Sequence, residues 1–285
     1  MKVPGILKPA LRWIGTIAAL GYVVWKTDLS GFNPSIPWWS WSGLLALYLA
    51  SKISSAYRSK RLLEQIHFQE SIVFHLKLYA KGMFYNLVFP GGVGGDAWKV
   101  LYLKQKQQQN WKETAAAFLY ERLSGMAALL GLGGLLLLPR FPELLWYAFG
   151  LIGLGLVLGW WGSKTLFKAF HAEFLIGNSL SIGVQVLQGL GFICLAYTFH
   201  PHIDIPLATA LFFLSSVASA LPLTVGGIGA REALFLWLGP EAGLVGEQAL
   251  TLSFGVTLAH IAVSLPGAFM RLPDSIPSNK VKGIP

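Results

Sequence analysis

Two glycine-rich runs carry the residue types and the spacing that an anion-binding site needs. Three glycines of the first run, LVFPGGVGGDAWKV, match the three of the second, LPLTVGGIGAREAL, at a constant offset: Gly91, Gly92 and Gly94, then Gly226, Gly227 and Gly229. Each run interrupts an apolar segment, and a new half-helix is expected just after it. Glycine lets an anionic group approach the backbone, and the free N–H groups at a helix N-terminus bind phosphate or carboxylate. The two runs therefore predict an anion site made from two broken helices.

Charged residues near these runs and in the fourth apolar segment complete the predicted site. Arg122 lies inside that segment beside Glu121, where a charged side chain costs at least about 2.5–3.5 kcal/mol on membrane-insertion scales. Arg122 could bind a substrate phosphate, or it could form a fixed ion pair with Asp96 or Glu232. The same two roles are open for Arg231, and close helix packing is the alternative role for the glycines. The candidate binding residues are Pro90, Gly91, Gly92, Gly94, Gly95, Asp96, Lys99, Glu121, Arg122, Gly226, Gly227, Gly229, Arg231 and Glu232.

The composition places these residues in a membrane protein. Charged residues make up 12% of the 285 residues, about half of the usual share in soluble domains, and hydrophobic residues make up 54%. Eight apolar segments follow one another, each near the about 20 residues that a bilayer core requires: 11–26, 40–57, 71–89, 114–138, 144–161, 175–199, 205–221 and 246–269. The sequence therefore predicts an all-α polytopic membrane protein.

The distribution of basic residues predicts that the third and seventh segments are re-entrant. If all eight segments span, the connectors on the two sides hold ten and six Lys and Arg residues, which fits the positive-inside rule poorly. Suppose instead that these two segments turn at the glycine runs and return along 94–105 and 228–238. The cytoplasmic connectors then hold fourteen Lys and Arg residues, and the outer connectors hold two. We therefore expect about six spanning helices and two opposed re-entrant helical hairpins.

This arrangement predicts an inverted repeat within a single transmembrane domain of residues 1–285. Each half reads as span, span, hairpin, span, and the halves cover about 9–139 and 143–269. Both termini are then expected on the cytoplasmic side. The backbone at each break must pack in protein or line a wet cavity, because an unpaired N–H or C=O group costs several kcal/mol in hydrocarbon. A central cavity is the expected consequence.

Other features argue against several classes of protein. The net charge of +9 comes from basic residues scattered along short connectors, which favours contact with anionic lipid over contact with nucleic acid. The single cysteine, Cys194, excludes a disulfide framework and a Cys-x-x-Cys site. No H-E-x-x-H, G-x-S-x-G or Walker A motif is present. We therefore expect no catalytic residue, no metal site and no cofactor.

Three ordered motifs give the sequence a resemblance to a known family. PGGVGGDAWK, YERLSG and VGGIGARE together are similar to the lysylphosphatidylglycerol synthase transmembrane-region family, also called flippase-like, over nearly the whole chain. The resemblance implies a protein of the bacterial cytoplasmic membrane, with two inverted hairpins, that moves a lipid or lipid-linked glycan between leaflets. It places the family's motif positions on the candidate residues above, although Lys99 stands where an arginine is expected. No soluble aminoacyl-transfer domain precedes Pro285, so we expect no lysyl-lipid synthesis.

The expected function is translocation of a membrane lipid, either an anionic phospholipid or a lipid-linked glycan. Half-helix N-termini and Arg122 or Arg231 would hold the phosphate of the head group, while the acyl chains stay in the bilayer. Two alternatives remain at this stage. One is secondary transport of a small anionic solute on the same inverted plan, and the other is a membrane enzyme of lipid or glycolipid synthesis.

Overall fold

The protein is helical throughout the part that the computed structural model describes, which comprises residues 37–89, 93–199, 202–220 and 229–273. In chain order the helices of this part are α1 (Trp38–Glu64), α2 (Ile72–Val88), α3 (Gly94–Gln107), α4 (Trp111–Leu137), α5 (Leu145–Thr165), α6 (Phe174–Ala196), α7 (Ile205–Ala220), α8 (Ala230–Leu238) and α9 (Gly246–Ser264). Short 3₁₀ turns connect or extend several of them. The predicted all-α fold is confirmed.

Four helical segments of the described chain are long and apolar enough to cross a membrane: Trp111–Leu137, Pro142–Thr165, Lys168–Phe199 and Gly246–Phe269. They correspond to four of the about six predicted spans. The predicted span at 40–57 forms most of α1, whose serines and basic residues make it less apolar than these four. The predicted span at 11–26 lies outside the described residues.

Helices α2 and α3 form the first predicted hairpin. Near its tip the ring of Tyr85 lies 4.7 Å from that of Trp98, and near its open end the ring of Phe74 lies 6.3 Å from that of Tyr102. These pairs show that the two arms run antiparallel. Ser71 begins α2 by accepting a hydrogen bond from the N–H of Phe74 at 3.2 Å. The chain thus returns to the end of the bundle at which it entered.

Helices α7 and α8 form the second hairpin. The N–H of Asp204, just before α7, donates to the carbonyl oxygen of Ala242, just after α8, at 2.9 Å. Nearer the tip, Nη2 of Arg231 in α8 lies 3.5 Å from Oγ of Ser216 in α7. The start of one arm is therefore paired with the end of the other, and this hairpin is also antiparallel.

Helices α1 and α6 define the two ends of the bundle. At one end Ser40 and Thr198 share a hydrogen bond of 3.2 Å, and at the other Arg61 donates two hydrogen bonds of 2.8 Å to Glu173, so the helices are antiparallel. The first hairpin follows the C-terminal end of α1, and the second follows the C-terminal end of α6. The hairpins therefore enter from opposite ends. A repeat relating the whole halves 9–139 and 143–269 stays a prediction.

The two ends differ in charge. The end at which α1 stops and α4 begins carries most of the peripheral cations: Lys60, Arg61, Lys104, Lys106, Lys112, Lys164, Lys168 and Arg271. We call this the basic end. At the opposite end, the described residues include Arg140 as the corresponding cation. This asymmetry follows directly from where the helices start and stop.

Two apolar cores lie toward the two ends of the bundle. The core near the basic end includes Leu78 and Phe118, and the other includes Phe192 and Leu129. Helix α4 contributes to both, with Phe118 in one core, Leu129 in the other, and the buried Glu121 between them. The cores therefore leave a polar middle layer, and this layer holds the candidate site.

Candidate functional site

A cavity of about 200 Å³ lies between the two apolar cores. Helices α1, α2, α3, α4 and α6 line it, together with the last residue of α7. The charged residues that line it are Arg58, Asp96, Lys99, Glu121 and Arg122. Three cations face two carboxylates, so the cavity carries a net positive formal charge. The sequence predicted four of these five residues.

Asp96 and Lys99 lie together near the start of α3. The two residues are one helical turn apart, so their side chains share a face, and Nζ of Lys99 lies 2.9 Å from Oδ1 of Asp96. Lys99 is only 4% exposed, and its ammonium group lies 3.8 Å from the centroid of the Phe118 ring. A buried ammonium needs such partners, because an unpaired buried charge costs several kcal/mol. Lys99 is therefore a fixed cation in the cavity wall.

Arg122 connects the two hairpins. Its Nη2 donates to Oδ2 of Asp96 in α3 at 3.2 Å, and its Nη1 donates to the carbonyl oxygen of Ala220, which ends α7, at 3.3 Å. The Arg122 side chain keeps 24% of its surface exposed. Of the two roles that the sequence leaves open, the ion pair with Asp96 is present. The guanidinium nevertheless remains accessible from the cavity.

Arg58 of α1 is a cavity residue that the sequence does not predict, because it lies one residue beyond the predicted span at 40–57. Its Nη2 donates to Oε1 of Glu121 at 3.1 Å, and its Nη1 donates to Oγ of Ser181 at 2.5 Å. The side chains of Arg58 and Glu121 are 7% and 8% exposed. A signal was available, since Ser51, Ser55 and Arg58 recur at helical spacing and predict a polar helix face. Glu121 is thus neutralised by Arg58, whereas the adjacent Arg122 pairs with Asp96.

Gly94 and Gly95 let the arms of the first hairpin touch. A Cβ atom on Gly95 would lie 1.9 Å from the carbonyl oxygen of Gly82, and one on Gly94 would lie 2.3 Å from Cβ of Phe89. The N–H of Gly95 donates to Oδ1 of Asn86 at 2.7 Å, so one donor expected to be free at this helix start is already used. These contacts support the packing role for both glycines, and their role in binding stays a prediction.

Gly229, Arg231 and Glu232 lie at the start of α8. Gly229 has a φ of 90°, a left-handed conformation that favours glycine. Its N–H donates to Oε2 of Glu232 at 2.7 Å, and Oε1 of Glu232 accepts a hydrogen bond from the Thr257 hydroxyl at 3.0 Å. Arg231 and Glu232 do not belong to the lining of the central cavity within the described chain. The charged residues that line the cavity therefore all come from the first half of the chain. The predicted residues Arg231 and Glu232 of the second half do not line it.

The remaining candidate residues lie outside the described ranges. These are Pro90, Gly91, Gly92, Gly226 and Gly227. Their part in binding stays a prediction. Within the described ranges, no group of three or more His, Cys, Asp or Glu side chains is arranged to hold a metal ion.

Comparison with known families gives a match over nearly the whole chain. A family model described as Lysylphosphatidylglycerol synthase TM region matches residues 10–267. No curated protein and no solved structure gives a significant match. The three sequence motifs and the residues of the central cavity all lie within the matched range.

Proposed function

The chain belongs to the lysylphosphatidylglycerol synthase transmembrane-region family, and from this premise we propose that it moves an anionic phospholipid or a lipid-linked glycan between membrane leaflets. Family membership and the apolar helices make it an integral membrane protein related to lipid handling. The observation that carries the finer proposal is the contact of Arg122 with both hairpins inside a positively charged cavity.

The chemistry of the cavity suits a phosphate group. Arg122 presents guanidinium N–H groups in a rigid fork that matches phosphate oxygens, and Arg58 and Lys99 add positive charge nearby. Charge–charge attraction is stronger here than in water because the local dielectric is low. At about 30 Å³ per water molecule, the cavity holds the volume of about seven waters, which is enough for a phosphate group. The phosphate of a head group can therefore enter while the acyl chains remain in the bilayer.

The position of Arg122 also suggests how binding is linked to movement. A phosphate that bonds to the guanidinium competes with Asp96 of the first hairpin and with the Ala220 carbonyl of the second. Loss of those two bonds would release one hairpin from the other and widen the passage between them. Binding and hairpin separation are thus coupled through one side chain. The proposed movement is passive or ion-coupled, with no catalytic residue and no cofactor.

We further propose that the basic end faces the cytoplasm of a bacterium. Eight Lys and Arg residues lie at that end, against Arg140 among the described residues of the other, and the positive-inside rule favours this orientation. The first hairpin then enters from the cytoplasm and the second from outside. A span at 11–26, before α1, would place the N-terminus on the cytoplasmic side, as would α9 for the C-terminus.

Reconstituted protein tests the proposed function. Purified protein in liposomes should accelerate the movement of an anionic or polyprenyl-linked lipid between leaflets without ATP. Arg122→Gln should remove most of this activity, because a neutral amide lacks both the charge and the guanidinium fork. Lys77→Gln is the matched control, since Lys77 lies in the entering arm of the first hairpin but does not line the cavity.

Three results would contradict the proposal. If Arg122→Gln is inactive but the double variant Asp96→Asn/Arg122→Gln regains activity, the arginine is a structural counter-ion and does not bind the head group. If no lipid moves while a soluble anion is taken up, the chain is a solute transporter. If the lipid is converted chemically, the chain is a membrane enzyme.

A further inference from the structure

The chain beyond α9 lies across the first hairpin. Helix α9 ends at Ser264, and a 3₁₀ turn that contains Pro266 and Gly267 follows it. Proline cannot donate the backbone hydrogen bond that a longer α-helix would need at this point, so the α-helix ends. Residues 265–273 extend beyond it along the two arms of the hairpin, and we call these residues the strap.

The first half of the strap is held on α2, the entering arm. A Cβ atom on Gly267 would lie 2.0 Å from the carbonyl oxygen of Ala80 and 3.0 Å from Cβ of Phe84, so only a glycine allows this approach. Three residues further on, the ammonium of Lys81 donates to the carbonyl oxygen of Met270 at 2.8 Å. One close backbone contact and one hydrogen bond thus hold the strap on this arm.

The end of the strap is held on α3, the returning arm. The hydroxyl of Tyr102 donates to the carbonyl oxygen of Pro273 at 2.6 Å, and Leu272 packs against the apolar core near the basic end. The ring of Tyr102 stacks on that of Trp98 in the same helix, with the centroids 5.3 Å apart, which orients the hydroxyl. The strap therefore joins both arms of the first hairpin to α9.

Lys81 is the contact of the strap that an anion can break. It lies nine residues after Ile72, the start of α2, which is about 14 Å along the helix axis. Within the described chain Lys81 forms no ion pair, and its hydrogen bond is to a neutral carbonyl. An ammonium binds an anionic oxygen more strongly than a neutral one, above all where the dielectric is low. A phosphate group that reaches Lys81 would therefore displace the Met270 carbonyl.

We propose that the strap closes the first hairpin at the basic end, and that a phosphate group opens it by taking Lys81 from the Met270 carbonyl. The phosphate belongs either to a lipid head group or to free phosphate. Opening uncouples the first hairpin from α9 and lets it move, and the use of this motion in lipid transfer rests on the proposed function. The opening itself needs only an anion at Lys81.

The distance between two spin labels tests the opening in the purified full-length chain. With Cys194 replaced, the labels are attached to cysteines at Arg271 in the strap and at Lys112 at the start of α4, both exposed positions. Pulsed electron resonance in maltoside detergent, which carries no phosphate, should give the closed distance. A short-chain phosphatidic acid should add a second population at another distance, whereas diacylglycerol with the same chains should not. Inorganic phosphate is the probe for the free anion.

Matched variants identify the residue that responds. Lys81→Met lacks the ammonium, so the ratio of open to closed strap should no longer depend on phosphatidic acid. Lys77→Met is the control, because Lys77 lies one turn earlier on the same arm and has no hydrogen bond to the strap within the described chain. Tyr102→Phe keeps the stacked ring and loses the bond to Pro273. The open-to-closed ratio without anion should then rise about fivefold, the usual effect of losing one hydrogen bond.

Each outcome supports or overturns the proposal. Opening in the unchanged chain and in Lys77→Met, but not in Lys81→Met, supports it. Opening by phosphatidic acid alone identifies a lipid phosphate, and opening by inorganic phosphate identifies the free anion. If neither probe opens the strap, if diacylglycerol opens it equally, or if Lys81→Met responds as Lys77→Met does, the proposal is wrong. A strap that opens in a chain that moves no lipid would overturn the proposed function and leave this proposal standing.

Discussion

Neighbouring residues in α4 acquire opposite roles from the direction in which each side chain points. Consecutive residues of an α-helix are separated by about 100° around the axis. Glu121 consequently faces Arg58 of α1, while Arg122 faces Asp96 of α3. The first pair is nearly enclosed by protein, and the second keeps contact with the cavity. The accessible cation at the centre is therefore Arg122. Its neighbour Glu121 lies in the same apolar segment but is almost completely buried.

Removing the carboxylate of Glu121 should destabilise the protein strongly. Glu121→Gln leaves Arg58 charged and buried without its ion-pair partner, which costs about 3–5 kcal/mol for a buried pair. Glu64→Gln breaks the pair between Lys60 and Glu64, whose side chains are 22% and 33% exposed, and should cost at most about 0.5 kcal/mol. Thermal melting in detergent measures the loss of stability in each variant. Equal melting temperatures for the two variants would show that the central pair is not a buried charge pair.

A methyl group at Gly95 should prevent the first hairpin from closing. In Gly95→Ala the new Cβ atom would lie 1.9 Å from the backbone oxygen of Gly82, so the two arms must move apart. Gly134→Ala is a matched control in α4, because nothing lies within 4 Å of its added Cβ. Size-exclusion chromatography should show little folded Gly95→Ala protein and normal amounts of Gly134→Ala. A normal yield of folded Gly95→Ala protein would count against this packing.

The returning arms of the hairpins are too short to act as spans. Helix α3 has 14 residues and α8 has 9, which correspond to about 21 Å and 14 Å at 1.5 Å per residue. A bilayer core is about 30 Å thick. Each arm therefore crosses only part of the bilayer core, so its first residues, at the hairpin tip, lie inside the membrane and must be supported by the helices around them. The stability of both hairpins is consequently a property of the bundle.

The sidedness of the hairpins can be measured by cysteine labelling. With Cys194 replaced, single cysteines at Lys106, Lys164 and Glu241 report on the connectors, and all three residues are exposed. Lys106 and Lys164 should react with an impermeant reagent from the cytoplasmic side, and Glu241 should react from outside, because of the positive-inside rule. Reaction of position 106 from outside would show that the first hairpin does not return to its own side.

At the scale of the whole molecule, the charged residues of the middle layer are enclosed by protein, and apolar side chains face outward. Helix α5 shows this most clearly, because Trp146 is 80% exposed and Leu154 is 53% exposed. None of the apolar window of Pro142–Thr165 is buried within the described protein. In water such a surface would be unfavourable, whereas in a bilayer it contacts acyl chains. The outside of α5 is therefore suited to lipid.

A charge placed on this outer surface should impair insertion. Leu154→Arg puts a guanidinium near the middle of α5, which costs about 2.5–3.5 kcal/mol on insertion scales, and Leu154→Ala keeps the site apolar. The amount of protein in the membrane fraction should fall for the arginine variant and stay near normal for alanine. Equal amounts of both variants would place this face of α5 against water or protein.

The sequence by itself determined the helical class, the two hairpins and most of the charged residues around the central cavity. Composition and segment length decided the class, because a bilayer core accepts apolar helices of about 20 residues. The glycine runs and the charge distribution located the hairpins. The positions of Asp96 and Arg122 followed from their place beside a break and inside an apolar segment. These are local properties, and a linear sequence displays them directly.

The tertiary structure alone decided which charges meet. Arg58 joins the cavity because α1 packs against α4 and α6, whereas Arg231 lies beside Ser216 of α7 and outside the cavity lining. Gly95 allows the close contact between the two arms of the first hairpin. The direction of a helix face depends on its neighbours, and those neighbours are far apart in sequence. Pairing of buried charges is a long-range property, so only the packed bundle fixes it.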